Sequence, residues 1–207
     1  MTKVKICGIT QLSDALAACD CGADALGFVM APEARKRGRY IELDAAAEIV
    51  RRLPPFVATV GVCVNDPPER IARYLEVFDL VQLHGEETPE QVAFPGRSIK
   101  VFRAGPDFDV ATMDAYPARA YLLDACSERG RGGTGERCDW SVARDAVQQT
   151  ARPVILAGGL TPENVAEAVR AVRPYAVDTS GGVEGAPGKK DHDRLRAFLD
   201  NAKTPLA

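Results

Sequence analysis

Val57-Ala58-Thr59-Val60-Gly61-Val62-Cys63-Val64 carries no charge, is rich in β-branched side chains, and lies between Pro54-Pro55 and Asn65-Asp66-Pro67. A strand that is apolar along its whole length is covered on both faces, as in a parallel sheet flanked by helices; a half-exposed antiparallel strand would alternate. Asp66-Pro67-Pro68-Glu69 then supplies a helix start, so this strand runs directly into a helix.

The same unit repeats on either side. β-rich runs fall at 3–7, 24–29, 57–64, 79–84, 98–102, 120–124, 153–157 and 175–179, with helical patterns between them and further starts at Asp44 and at Thr161-Pro162-Glu163-Asn164. Eight strands alternating with eight helices imply a parallel sheet that can close on itself. An open doubly wound sheet would be expected to carry Gly-x-Gly-x-x-Gly after its first strand, and that signature is missing. The expected fold is therefore α/β, a compact (β/α)8 barrel forming one domain over residues 1–207. Its weakest helical segments are the fifth and sixth, because 104–119 contains Gly105, Pro106 and Pro117 and 127–138 is rich in Gly and Arg. The stretch 125–138 reads as a candidate binding loop.

Composition narrows the partners. Hydrophobic residues at 46% and charged residues at 27% describe a globular chain, and 26 basic against 29 acidic residues give a net charge of -3. That balance offers no broad surface for nucleic acid or an anionic membrane. No apolar run approaches membrane-spanning length and no signal-type segment opens the chain, so a cytoplasmic location is expected. Six cysteines and only two histidines, at spacings that fit neither a disulfide framework nor a zinc site, predict reduced thiols and no metal.

Barrel chemistry sits where strands end, and period-two alternation sorts the side chains. On that count Lys5 and Cys7, Gln82 and His84, Leu122 and Asp124, and Ala176 and Asp178 point inward. Cys7, His84, Asp124 and Asp178 should then meet at one mouth. After the seventh and eighth strands come Gly158-Gly159 and Ser180-Gly181-Gly182, turns whose backbone N–H groups suit a phosphate.

Several blocks carry a family likeness: Lys5-Ile6-Cys7-Gly8-Ile9-Thr10, Val81-Gln82-Leu83-His84-Gly85, Leu122-Leu123-Asp124-Ala125, Gly132-Gly133-Thr134-Gly135 with Asp139-Trp140, Leu156-Ala157-Gly158-Gly159-Leu160, and Asp178-Thr179-Ser180-Gly181-Gly182-Val183-Glu184 followed by Gly188-Lys189-Lys190-Asp191. In this order they resemble the phosphoribosylanthranilate isomerase family of tryptophan biosynthesis. The resemblance implies a cofactor-free Amadori rearrangement of a small phosphosugar, with Asp124 matching the general acid and Cys7 the general base. It further implies that Arg39, before Tyr40, or Arg37 binds the anthranilate carboxylate and that Asp178 contacts the sugar. The chain departs from the usual pattern at Cys63 and Cys138, where phenylalanine is usual, and at Gly181, where serine is usual.

Acid–base work asks each group to leave its ordinary range. A carboxyl must be shifted up to donate at neutral pH, and a thiol needs a cation or helix terminus to act as base. His84 is also counted among the substrate-binding candidates, and other readings stay open: His84 as a hydrogen-bonded wall residue, Asp178 as the partner of a buried Lys5, and the basic loop as solvated charge. A Schiff-base aldolase using Lys5 or Lys100, another phosphosugar isomerase, and a non-catalytic phosphate-metabolite binder are the competing functions. Assembly is expected to be a monomer or a homodimer.

Overall fold

The computed structural model describes residues 1–94, 96–105, 108–125 and 139–204. Its strands β1 (Lys3–Cys7), β2 (Ala25–Val29), β3 (Ala58–Cys63), β4 (Leu80–Leu83), β5 (Ser98–Ala104), β6 (Ala120–Ala125), β7 (Val154–Leu156) and β8 (Ala176–Thr179) are parallel and form a closed barrel. β8 closes on β1 with Lys5 opposite Asp178 and Ile6 opposite Thr179. Each expected strand is present; β2, β3, β4, β7 and β8 are one residue shorter at one or both ends, whereas β5 runs two residues further and β6 one.

Alternation along the strands separates two cores. Val60, Ile99, Val101, Leu122, Ile155, Ala157 and Ala176 fill the barrel interior. Leu123 and Tyr121, on either side of Leu122, belong instead to the larger core between barrel and helices. In that outer layer Phe28 stacks on Phe78 with ring centroids 5.4 Å apart. Gly61 makes room for the pair, because a Cβ there would stand 2.5 Å from the Phe78 ring.

The helices depart from the expected eight. Among the described residues there are α1 (Leu12–Asp20), α2 (Leu43–Val50), α3 (Pro68–Leu75), α4 (Pro89–Val92), α5 (Trp140–Gln149), α6 (Val165–Val172) and α7 (His192–Lys203). The fifth helical position is a 3-10 turn, Val110–Ala115, capped by the Asp109 carboxylate accepting from Ala111 N–H and followed by Pro117. The sixth segment, in contrast, holds a regular helix, α5, capped by the Asp139 carboxylate accepting from Ser141 N–H. Between β8 and α7 lies an unforeseen hairpin of β9 (Glu184–Ala186) and β10 (Lys189–Lys190). None of the described helices is long and apolar enough to cross a membrane.

Replacing the fully buried Phe28 with alanine should remove about 3–5 kcal/mol of stability, read as a lower denaturation midpoint in urea with an unchanged slope. A loss below about 1 kcal/mol would mean that the Phe28–Phe78 stack is not a principal contact of the outer core.

Candidate active site

A cavity of about 1020 Å³ opens at the C-terminal ends of the strands, with Cys7, Gln82, His84, Asp124 and Asp178 on its walls. The four residues expected to converge do so. The stretch proposed as a binding loop lies, from residue 126 to 138, outside the described residues, and so do Cys126, Cys138 and the Gly132–Gly135 block.

Cys7 ends β1 opposite Gly27 of β2. A Cβ on Gly27 would sit 2.8 Å from Cys7 Sγ and 3.0 Å from Lys5 Nζ, so a glycine is what leaves space for both groups. Lys5 lies two residues lower, buried, and donates from Nζ to Asp178 Oδ1 at 2.8 Å. Asp178 thus has the structural partner that one of its two sequence readings required, and its carboxyl still borders the cavity.

The thiol does not follow the expectation of a lowered pKa. Burial pushes Cys7 up; Lys5 and Lys190 pull it down, Asp178 adds to the rise, and the net result is upward. In the free protein, desolvation at 8% exposure outweighs the two ammonium groups. For Lys5, burial acts downward, but Asp178 and Cys7 outweigh it and hold the ammonium above its ordinary value.

Asp124 is 6% exposed on β6, in register with Arg103 of β5. Across the mouth, His84 Nε2 stands 3.5 Å from Asp124 Oδ2, and His84 Nδ1 is 3.4 Å from Gln82 Nε2. His84 follows β4 directly and is held there by its N–H donating to the Cys63 carbonyl at 2.9 Å. It thus stands in the cavity wall facing Asp124, with a buried Nε2 that has no hydrogen-bond partner.

Both glycine turns border the cavity. Gly158 and Gly159 have φ of 85° and 63°, a left-handed pair that disfavours side chains. Gly182 is confined differently: a Cβ would fall 1.9 Å from the Leu160 carbonyl oxygen, so the two turns are in backbone contact. The Ser180 hydroxyl is buried without a partner beside them.

Arg39 reaches toward the second turn and holds Glu184 with both arms of its fork, Nε to Oε1 and Nη2 to Oε2, each at 2.9 Å. Arg37 lines the same cavity from the end of a 3-10 turn, Pro32–Arg37. Lys100, a candidate Schiff-base amine, is buried and donates to Glu87 Oε2 at 2.7 Å and to the Gly85 carbonyl at 2.8 Å. With Lys5 held charged by Asp178, both candidate lysines are engaged in buried ion pairs, which weighs against Schiff-base chemistry.

Three functional-looking residues were not singled out by the sequence reading. Arg194 of α7 donates to the Gly182 carbonyl from Nε and Nη2, at 3.1 and 2.9 Å, and fixes the second turn. Glu184 and Lys190 come from the hairpin, inside a block that carries the family likeness, but only the burial of Lys190 beside exposed Lys189 distinguishes the two lysines.

Asp178→Ala should cost about 3–5 kcal/mol by leaving Lys5 as an unpaired buried charge. Because the folded-state pKa of Lys5 is raised, its contribution is fully present below the unfolded value of about 10.4 and is lost as pH rises through the folded one. In the variant, burial without the carboxylate lowers the Lys5 pKa, so the penalty, measured by urea unfolding, should be full where Lys5 is charged in both proteins and shrink as pH rises. A penalty that already vanished at neutral pH would contradict the assigned ion pair.

Comparison with known proteins places this geometry. The family model described as N-(5'phosphoribosyl)anthranilate (PRA) isomerase matches residues 4–201. The N-(5'-phosphoribosyl)anthranilate isomerase of Geobacter sp. strain M21 is 50% identical over 206 residues, covering 98% of each chain. The crystal structure of phosphoribosyl anthranilate isomerase from Thermotoga maritima is 44% identical with a TM-score of 0.89, over 98% of this chain and 99% of that one. A phosphoribosyl anthranilate isomerase solved in complex with reduced 1-(o-carboxyphenylamino)-1-deoxyribulose 5-phosphate is 43% identical with a TM-score of 0.85, over 98% and 99%.

Proposed function

The chain belongs to the phosphoribosylanthranilate isomerase family, and from that premise we propose that it converts N-(5-phosphoribosyl)anthranilate to 1-(o-carboxyphenylamino)-1-deoxyribulose 5-phosphate with Asp124 as acid and Cys7 as base. The observation that carries the residue assignment is that Cys7 and Asp124 both line one cavity, at the ends of β1 and β6, with glycine turns at its rim.

The chemistry follows from that placement. Asp124 donates its proton to the ring oxygen as the C1′–O bond breaks, while the aniline nitrogen's lone pair forms the iminium. Cys7, as thiolate, removes the C2′ proton and leaves an enolamine that tautomerises to the ketose. The proton taken at C2′ balances the one given at the ring oxygen, so no atom is gained and no cofactor is needed. Burial makes each transfer sensitive to nearby charge, which is how one site can hold an acid and a base together. His84 positions the acid, and Asp178 serves the ribulose hydroxyls from its place beside Lys5.

The anionic ends of the substrate are assigned to two features of the rim. Gly158, Gly159, Ser180, Gly181 and Gly182 would take the phosphate, through backbone N–H groups and the unpartnered Ser180 hydroxyl. Arg39 would take the anthranilate carboxylate, because its fork already holds a carboxylate bidentately in Glu184; Arg37 lines the same wall. Such local attraction suits a chain of net charge -3. A cytoplasmic location and a monomeric or homodimeric state complete the reading, with no nucleic acid or membrane as partner.

Incubation of the purified protein with phosphoribosylanthranilate should show conversion, with Cys7→Ser and Asp124→Asn each reducing kcat by at least about 100-fold. Undiminished turnover in both variants would remove the residue assignments. Product binding without turnover by the wild type would instead favour the metabolite-binder reading.

A further inference from the structure

Lys190 has no role in the reaction just described, yet its side chain is completely buried and faces the candidate base. Its Nζ donates to the Cys7 carbonyl oxygen at 2.6 Å, to the Ser180 carbonyl at 3.1 Å and to Glu184 Oε1 at 3.1 Å. Those bonds use all the donors of an ammonium, so the group is pinned to the end of β1, the turn after β8 and the hairpin at once. The backbone is pinned as well, because Lys190 N–H donates to the buried Asp14 carboxylate at 2.8 Å.

The charge count around Cys7 separates Lys190 from a simple brace. Lys5 and Asp178 face Cys7 from β1 and β8 as a matched pair. On the other side, Glu184 must serve two cations, since its Oε1 accepts from both Arg39 Nε and Lys190 Nζ. The Arg39–Glu184–Lys190 cluster holds two cations to one anion, with the buried Asp14 carboxylate at the Lys190 N–H as a further anion, and Lys190 is the member whose ammonium binds the Cys7 carbonyl. Gly27, the neighbour of Cys7 on β2, adds no charge.

We propose that Lys190 is a positioning residue that fixes the end of β1 through the Cys7 carbonyl and supplies a buried positive charge that favours the Cys7 thiolate. The proposal rests on the reading of Cys7 as base. Burial pushes the thiol up, and Lys190 joins Lys5 in opposing that rise.

The test compares wild type, Lys190→Met, Lys190→Gln and Lys190→Arg. Iodoacetamide labelling of Cys7 is followed by peptide mass from about pH 6 to 10, with Cys7→Ser as the blank, alongside the pH profile of kcat/KM. Both uncharged variants should label Cys7 about tenfold more slowly at neutral pH, with the acid limb of kcat/KM displaced upward and the rate in Lys190→Arg largely restored. An unmoved labelling profile in a folded uncharged variant would overturn the proposal, and so would failure of both uncharged variants to fold, which would assign Lys190 to the scaffold. The two readings separate cleanly. Full turnover in Cys7→Ser removes the base but leaves the labelling shift standing, whereas an unmoved profile with inactive Cys7→Ser removes only the role of Lys190.

Discussion

The ion pair between Lys5 and Asp178 stands at the seam where β8 closes on β1. A cation buried inside a barrel has to be answered by an anion at the same height, and only the register that sets Lys5 opposite Asp178 does so. Buried pairs of this kind often add little net stability over apolar packing. What this one contributes is placement: it carries Cys7 directly above a charged, hydrogen-bonded floor.

From that level the interior changes character along the barrel axis. Below lie Val60, Ile99, Leu122, Ile155 and Ala176, a dry packed layer. Above come Gln82, His84 and Asp124, and then a rim of arginines and glycine turns. The gradient lets one small domain keep a close-packed core and still present charge to a ligand, because polar groups are admitted only where strand ends give them partners.

The strands and inward-facing residues were legible in the sequence because a parallel barrel imposes a strict period of two between buried layers, as Tyr121, Leu122 and Leu123 illustrate. Cys7, Asp124 and Asp178 could be found by the same count. Helical content was less legible where Gly105, Pro106 and Pro117 interrupt the pattern, and α4 ends after four residues. The hairpin between β8 and α7 left no periodic signal, since β9 and β10 are three and two residues long. With it Lys190 and Glu184 were missed, and the sign of the Cys7 shift was misjudged: desolvation depends on atoms from β2, β8 and β10 that no single segment reveals.

β2 flanks the first strand on one side, but the charged groups around Lys5 and Cys7 come from the far end of the chain. Lys5 and Asp178 are 173 residues apart, and Lys190 reaches the Cys7 carbonyl across 183. Contacts of such long range carry the largest loop-closure cost and form late in folding. On the ribosome, Cys7 emerges well before β8 and the hairpin and acquires its electrostatic setting only when they have followed, so a nascent chain halted before them would display an ordinary thiol.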